Sequence, residues 1–153
     1  MRHVIAILLS VLAFALSGGT GIVAEVDVVV AGGTSYGVAA AVAAAKEGKR
    51  VMLVAPRPAL GEDLAGTLRL SPGEKPLQVK RRLDRELLDA GVAFRCWLQP
   101  CDIACDEKGN VTGLWVAGRD GRSLVKAKEV VDATPLANLA RRAGVNPRRR
   151  PLQ

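Results

Sequence analysis

Apolar residues along this chain occur in two alternating patterns, short runs and longer segments with a helical period. Val26–Ala31, which is apolar except for Asp27, and Val51–Val54 are short runs rich in valine, which predicts buried parallel strands. Between them, the alanine-rich segment Ser35–Glu47 predicts a helix that packs closely on a sheet. A strand, a helix and a second strand in this order form one unit of a parallel α/β sheet.

After this unit the pattern changes to one helix and a series of short strands. Lys75–Ala90 has apolar residues at helical spacing among charged ones, which predicts an amphipathic helix ended by Gly91. Val92–Leu98 then leads into three short segments separated by polar turns, at 102–106, 111–117 and 123–127. These three predict an antiparallel β-meander, and Glu129–Ala133 predicts a return to a buried parallel strand.

The turn between the first strand and the first helix, Gly32-Gly33-Thr34-Ser35-Tyr36-Gly37, is rich in glycine. It follows a strand directly and opens a helix, so backbone N–H groups at the helix start can face a phosphate. Gly32 permits a tight turn, and Gly37 lets the helix lie close to the sheet. The expected fold is therefore α/β, a Rossmann-like parallel sheet with a dinucleotide-binding βαβ unit plus a three-stranded antiparallel β-meander. The alternative for the turn is a purely structural role without a ligand.

Two positions depart from the dinucleotide-binding pattern. Thr34 stands where the middle glycine would let the backbone approach a pyrophosphate, although Gly33 beside it could share that role. Ala55 follows the second strand, where an acidic residue would bind a ribose hydroxyl. Both departures weaken the expected cofactor contacts.

The first residues have the pattern of a secretory signal. Met1-Arg2-His3 gives a short basic start, Val4–Leu16 an apolar core, and small residues up to Ala24 offer cleavage points. We expect a signal peptide over residues 1–24, export to the periplasm or the cell exterior, and no stable membrane insertion after cleavage. An uncleaved anchor and a buried apolar helix are the alternatives.

Composition excludes several classes of function. The chain has 153 residues, 49% of them hydrophobic and 3% aromatic, and a net charge of +7. So few aromatic residues argue against a stacking surface for nucleic acid, and the basic runs are typical of a solvated helix face and an exposed tail. We expect no nucleic-acid partner. The length fits one domain over residues 25–145, followed by a basic tail over 146–153.

Histidine and cysteine content limits the chemistry further. The single histidine, His3, lies in the expected signal, so the exported chain has no His-based triad and no His metal ligand. Three cysteines, Cys96, Cys101 and Cys105, are an odd number for an exported protein and match no zinc pattern. We expect no metal site, and no residue stands out as a catalytic acid, base or nucleophile.

Four separated motifs occur in the order found in one enzyme family: the Gly32–Gly37 turn, Leu60-Gly61, Gly109–Gly113 and Val130–Thr134. With them, the chain resembles the FAD-dependent oxidoreductases that have a glutathione-reductase-like Rossmann fold. The resemblance implies FAD as cofactor and places seven residues around its adenosine diphosphate half: Gly32, Gly33, Thr34, Ser35, Gly37, Ala133 and Thr134. Pro135 and Leu136 replace the glycine and the aspartate that follow in the family.

The resemblance implies the amino-terminal, dinucleotide-binding portion of an exported FAD-dependent oxidoreductase, incomplete relative to the family. In the full-length family the flavin transfers a hydride or electrons to or from a small-molecule substrate, so we expect the isolated chain to be inactive. The alternative is a truncated or degenerate, non-catalytic Rossmann-fold domain that has lost tight cofactor binding. An NAD(P)-binding subunit fits less well, because Ala55 leaves no ribose partner. The residues indicate neither the substrate class nor the oligomeric state.

Overall fold

Six strands and three helices make up the part of the chain that the structure describes. The computed structural model describes residues 21–145. The strands are β1 (Ile22–Ala31), β2 (Val51–Val54), β3 (Ala93–Arg95), β4 (Gln99–Cys105), β5 (Val111–Gly118) and β6 (Gly121–Asp132). The helices are α1 (Ser35–Lys46), α2 (Pro76–Asp89) and α3 (Asn138–Arg142). All six strands form one sheet in the order β3-β2-β1-β6-β5-β4.

The parallel half of the sheet has β1 at its centre. β1 pairs in parallel with β2 on one side and with β6 on the other, so that Val30 lies between Leu53 and Val131. β2 pairs in parallel with β3 at the edge. Val28–Ala31 of β1 and Val51–Val54 of β2 are buried on both faces, which is why these two segments are continuous apolar runs. The predicted Rossmann-like α/β fold class is confirmed.

The antiparallel half is a three-stranded meander of β4, β5 and β6, as predicted. Strand β6 belongs to both halves, because it pairs antiparallel with β5 and parallel with β1. The separate strands predicted at 123–127 and 129–133 are therefore one strand. Lys126 and Lys128 are exposed and alternate with the buried Val125 and Ala127, so the charged residues continue the strand instead of ending it.

The segment Val92–Leu98, which precedes the meander, contains one short strand. Only Ala93–Arg95 is extended, and it pairs with β2 in the parallel half. β4 begins at Gln99-Pro100, which therefore forms no turn. The three cysteines, Cys96, Cys101 and Cys105, are free thiols. Burial raises the pKa of the Cys96 thiol, which keeps it protonated at neutral pH.

The first strand begins earlier than predicted. β1 starts at Ile22 instead of Val26, and its first residues pair with Leu124 and Val125 of β6. The predicted end of the signal, after Ala24, thus falls within β1. Residues 1–20 of the predicted signal and the predicted tail at 146–153 lie outside the described residues. Within residues 21–145, none of the helices is long and apolar enough to cross a membrane.

Two apolar clusters hold the sheet and helices together. On one face, residues of α1 and α2 such as Val38 and Leu83 pack with Val28 and Leu53. On the other, Val29 packs with residues of β5, β6 and α3, all of them buried. Each such valine or leucine contributes about 1.5–3 kcal/mol of burial energy. The helices therefore fix the glycine turn of β1 at the carboxyl end of the sheet.

Candidate dinucleotide-binding site

The turn after β1 is shaped by two glycines that leave no space for a side chain. Gly32 has a φ of +123°, and a Cβ there would lie 2.5 Å from the carbonyl oxygen of Ala133. A Cβ on Gly37 would collide with the carbonyl oxygen of Gly32. The absence of both side chains lets α1 begin directly against the end of β6, which is the close packing that the sequence predicts for these positions.

Thr34 is the N-cap of α1 and ties the turn to β6. Its side chain is buried, its Oγ1 accepts a hydrogen bond from the amide of Gly37 at 3.1 Å, and the same hydroxyl donates to the carbonyl oxygen of Ala133 at 3.1 Å. A threonine N-cap stabilises a helix by about 1 kcal/mol. The departure from glycine at this position therefore supplies a cap and a link to β6.

The other side of the site, Ala133-Thr134, is held by Asp132. Asp132 Oδ1 accepts from the amide and the hydroxyl of Thr134 at 2.9 and 2.7 Å, and its Oδ2 accepts from the amide of Ala140 in α3 at 2.9 Å. Ala133 continues the pairing of β6 by donating its amide to the carbonyl oxygen of Ala31. One carboxylate thus fixes both the end of β6 and the start of α3.

Ser35, the first residue of α1, has an acidic partner from a distant part of the chain. Its amide donates to Asp63 Oδ1 at 2.8 Å, and its hydroxyl donates to Asp63 Oδ2 at 2.5 Å. An anion is favoured here because the helix dipole and the N–H groups of the first turn point at it. Asp63 therefore lies where the pattern predicts a cofactor phosphate.

Asp63 belongs to a segment between β2 and α2, residues 60–70, which we call the strap. Its first residues are fixed: Leu60 is buried, and the amide of Gly61 donates to the carbonyl oxygen of Gly33 at 2.7 Å. Gly33 itself has no room for a side chain, because a Cβ on it would lie 2.8 Å from the Cβ of Ala55. The rest of the strap, from Glu62 on, is half-buried or exposed.

A cleft of about 640 Å³ opens between the strap and the loop after β6. Its charged lining residues are Arg57, Glu62, Asp63, Arg69 and Lys80, and Pro135 contributes from the β6 side. Arg57 Nε lies 3.4 Å from Glu62 Oε2. The cleft therefore offers basic side chains next to Asp63.

The backbone of the turn fits a dinucleotide pyrophosphate, but two side chains change the site. Gly32 and Gly37 let the turn pack directly against Ala133, and the amide of Ser35 at the helix start points out of the turn toward Asp63. Ala55 is fully buried and has no side-chain oxygen for a ribose. Asp63 uses the two donors of Ser35. The start of α1, which the sequence predicts to face a phosphate, thus carries the carboxylate of Asp63.

Comparison with known proteins agrees with this geometry. The sequence model of a family described as FAD dependent oxidoreductase matches residues 27–90, which contain the turn and the strap. The resemblance to FAD-dependent oxidoreductases is confirmed. FAD is the cofactor that this resemblance implies. No curated protein sequence matches the chain.

Solved structures share the fold of the described residues. THI4 from Thermovibrio ammonificans has a TM-score of 0.59 at 18% identity, with 95% of this chain and 71% of that chain covered. A geranylgeranyl bacteriochlorophyll reductase-like protein from Thermoplasma acidophilum has a TM-score of 0.63 at 18% identity, with 80% and 42% covered. A myxobacterial chondrochloren halogenase, described as a variant of FAD-dependent halogenases, has a TM-score of 0.53 at 18% identity, with 72% and 37% covered. The chain thus spans less than half the length of the last two.

Within this Rossmann-like fold, the seven predicted site residues lie together at the carboxyl ends of β1 and β6. Gly32, Thr34 and Gly37 contact each other or Ala133. Their role as cofactor ligands stays a prediction. The sequence analysis did not predict Asp63, because only tertiary packing brings it to Ser35. In the sequence, Asp63 is marked only as part of the acidic pair that follows Leu60-Gly61.

Proposed function

We propose that this chain provides the dinucleotide-binding portion of an exported FAD-dependent oxidoreductase. The observation that carries the proposal is the tight glycine turn after β1, which packs against Ala133 and lies in the segment that matches the family model, residues 27–90. The backbone of the turn would hold the pyrophosphate, and Ala133-Thr134 would lie beside the adenosine diphosphate half. Bound FAD would supply hydride or electron transfer, and this chain would position its nucleotide half.

Export is part of the proposal and rests on the sequence of residues 1–24. Cleavage before Glu25 would remove Ile22 and Ala24 from their pairing with β6, but it would leave the pairs from Val26 to Ala31 in place. The central strand would therefore survive processing. Mass spectrometry of protein made in a bacterial host should find an amino terminus between about residues 19 and 27. Recovery of only the intact chain from the cytoplasm would contradict export.

A second candidate is a non-catalytic domain that has kept the fold and lost tight cofactor binding. Two observations favour it: the buried Ala55 offers a ribose no oxygen, and Asp63 lies on the donors of Ser35. Neither change disturbs the packing of the sheet. The fold could therefore persist without the cofactor.

Titration of the full chain with FAD, followed by flavin fluorescence, separates the two candidates. The first predicts saturable binding of one FAD per chain that is at least about 10-fold weaker in Gly32→Ala, because the added Cβ meets Ala133. Gly109→Ala is the matched control, since Gly109 also has a positive φ but open space around it. Circular dichroism confirms that each variant is folded. Equal affinity in folded Gly32→Ala, or no binding by the wild type, would refute the first candidate.

A further inference from the structure

The phosphate position of the turn already holds an anion that belongs to the chain itself. Both oxygens of the Asp63 carboxylate accept hydrogen bonds from Ser35, one from the amide and one from the hydroxyl. We propose that Asp63 is an internal substitute for the cofactor phosphate and must leave Ser35 before a dinucleotide can bind. This inference rests on the proposed function and adds a control of affinity to it.

Competition follows from the chemistry of the donors. Phosphate oxygens and carboxylate oxygens are recognised by the same groups at a helix start, and Ser35 can satisfy one anion at a time. Two anions brought to one helix terminus also repel each other. A ligand with a pyrophosphate therefore has to displace Asp63, whereas a ligand without phosphate does not.

The position of Asp63 in the strap allows such a displacement. Gly61 is held by the carbonyl oxygen of Gly33, and Asp63 lies two residues further on in a half-buried turn, so its carboxylate can leave Ser35 by a rotation of the side chain. Arg69 and Lys80 line the same cleft and could receive the released carboxylate. Release therefore does not require Leu60 or the core beneath it to move.

Neutralising this one carboxylate should raise affinity for pyrophosphate ligands. Asp63→Asn keeps the size of the side chain and removes its charge, so we expect FAD and inorganic pyrophosphate to bind the full chain at least 10-fold more tightly than the wild type. Asp63→Glu retains the charge and should stay close to the wild type. Glu107→Gln removes one negative charge from an exposed position in the turn between β4 and β5, and it should also change little. Asp63→Ala, measured alongside, covers the case in which Asp63→Asn does not fold.

The outcomes separate this inference from the proposed function. Tighter binding of both FAD and pyrophosphate by the neutral variants supports both. Tighter binding of pyrophosphate alone supports the role of Asp63 and counts against FAD as the ligand. Equal, saturable FAD binding by the wild type and the neutral variants overturns the role of Asp63 and leaves the proposed function standing. A similar gain in Glu107→Gln, or no binding of either ligand by any folded variant, also overturns it.

Discussion

The parallel pairing of β1 with β2, from Val28 to Ala31, has a carboxylate beside each of its two ends, and the two carboxylates are neutralised differently. At the amino end, Asp27 accepts from the amide of Arg50 at 3.0 Å and pairs with Arg50 Nε at 3.3 Å and Lys128 Nζ at 3.0 Å. At the carboxyl end, the Asp63 carboxylate is bound by the amide and hydroxyl of Ser35. The carboxylate at the amino end is neutralised by two basic side chains of the fold. The carboxylate at the carboxyl end is bound by an amide and a hydroxyl, and an external anion could use the same donors.

The largest loss of unfolding free energy should come from a substitution at Gly32, at the carboxyl end, because the backbone there is tightly packed. Gly32→Ala places a Cβ against Ala133 at a positive φ, and we expect it to cost about 3 kcal/mol or more of unfolding free energy. Gly48→Ala is the matched control beyond the far end of α1, where φ is +79° but space is open, and it should cost only about 1–2 kcal/mol. Urea denaturation measures both. Equal losses would show that the turn is not tightly packed against β6.

The second largest loss of unfolding free energy should come from removal of the hydroxyl of Thr34. Thr34→Val keeps the shape of the side chain but removes its bonds with Gly37 and Ala133. We expect a loss of about 1–2 kcal/mol in urea denaturation, because a buried amide and a buried carbonyl lose their partner. Thr112→Val is the control, since Thr112 is exposed on β5. A loss no larger than that of the control would mean that the cap does not stabilise the turn.

The smallest effect is expected at Asp27, and it should depend on pH. The backbone amide of Arg50, followed by the side chains of Lys128 and Arg50, holds the pKa of Asp27 well below its usual range. Its stabilisation is therefore complete above the pKa of the unfolded chain, about 3.9, and is lost as the pH falls below that value. Asp27→Asn should lower the melting temperature slightly at pH 7 and converge with the wild type at low pH. A constant difference between pH 7 and pH 2 would contradict this origin.

The sequence predicted the parts of the site that depend on local pattern. The glycines of the turn, the start of α1 at Ser35 and the amphipathic α2 follow from backbone sterics and hydrophobic periodicity, which neighbouring residues determine. The extent of β6 was not predicted, because Lys126 and Lys128 interrupt the apolar run and only pairing with β1 shows that the strand continues.

Asp63 could not have been found in the same way. Its role depends on the fold of the strap, in which Gly61 is bonded to Gly33 and Leu60 is buried beside the turn. Nothing within a few residues of Asp63 in the sequence indicates that it reaches Ser35. Contacts of this kind join distant segments, and sequence periodicity carries no record of them.

Hydrogen–deuterium exchange of the wild-type chain, with and without FAD, tests the central claim that an external phosphate and Asp63 share one position. We predict slower exchange over residues 33–38, where the turn would hold the pyrophosphate, together with faster exchange over residues 62–68, where Asp63 would be released. Exchange that is unchanged in both segments at the highest FAD concentration, or that slows in both, would contradict it.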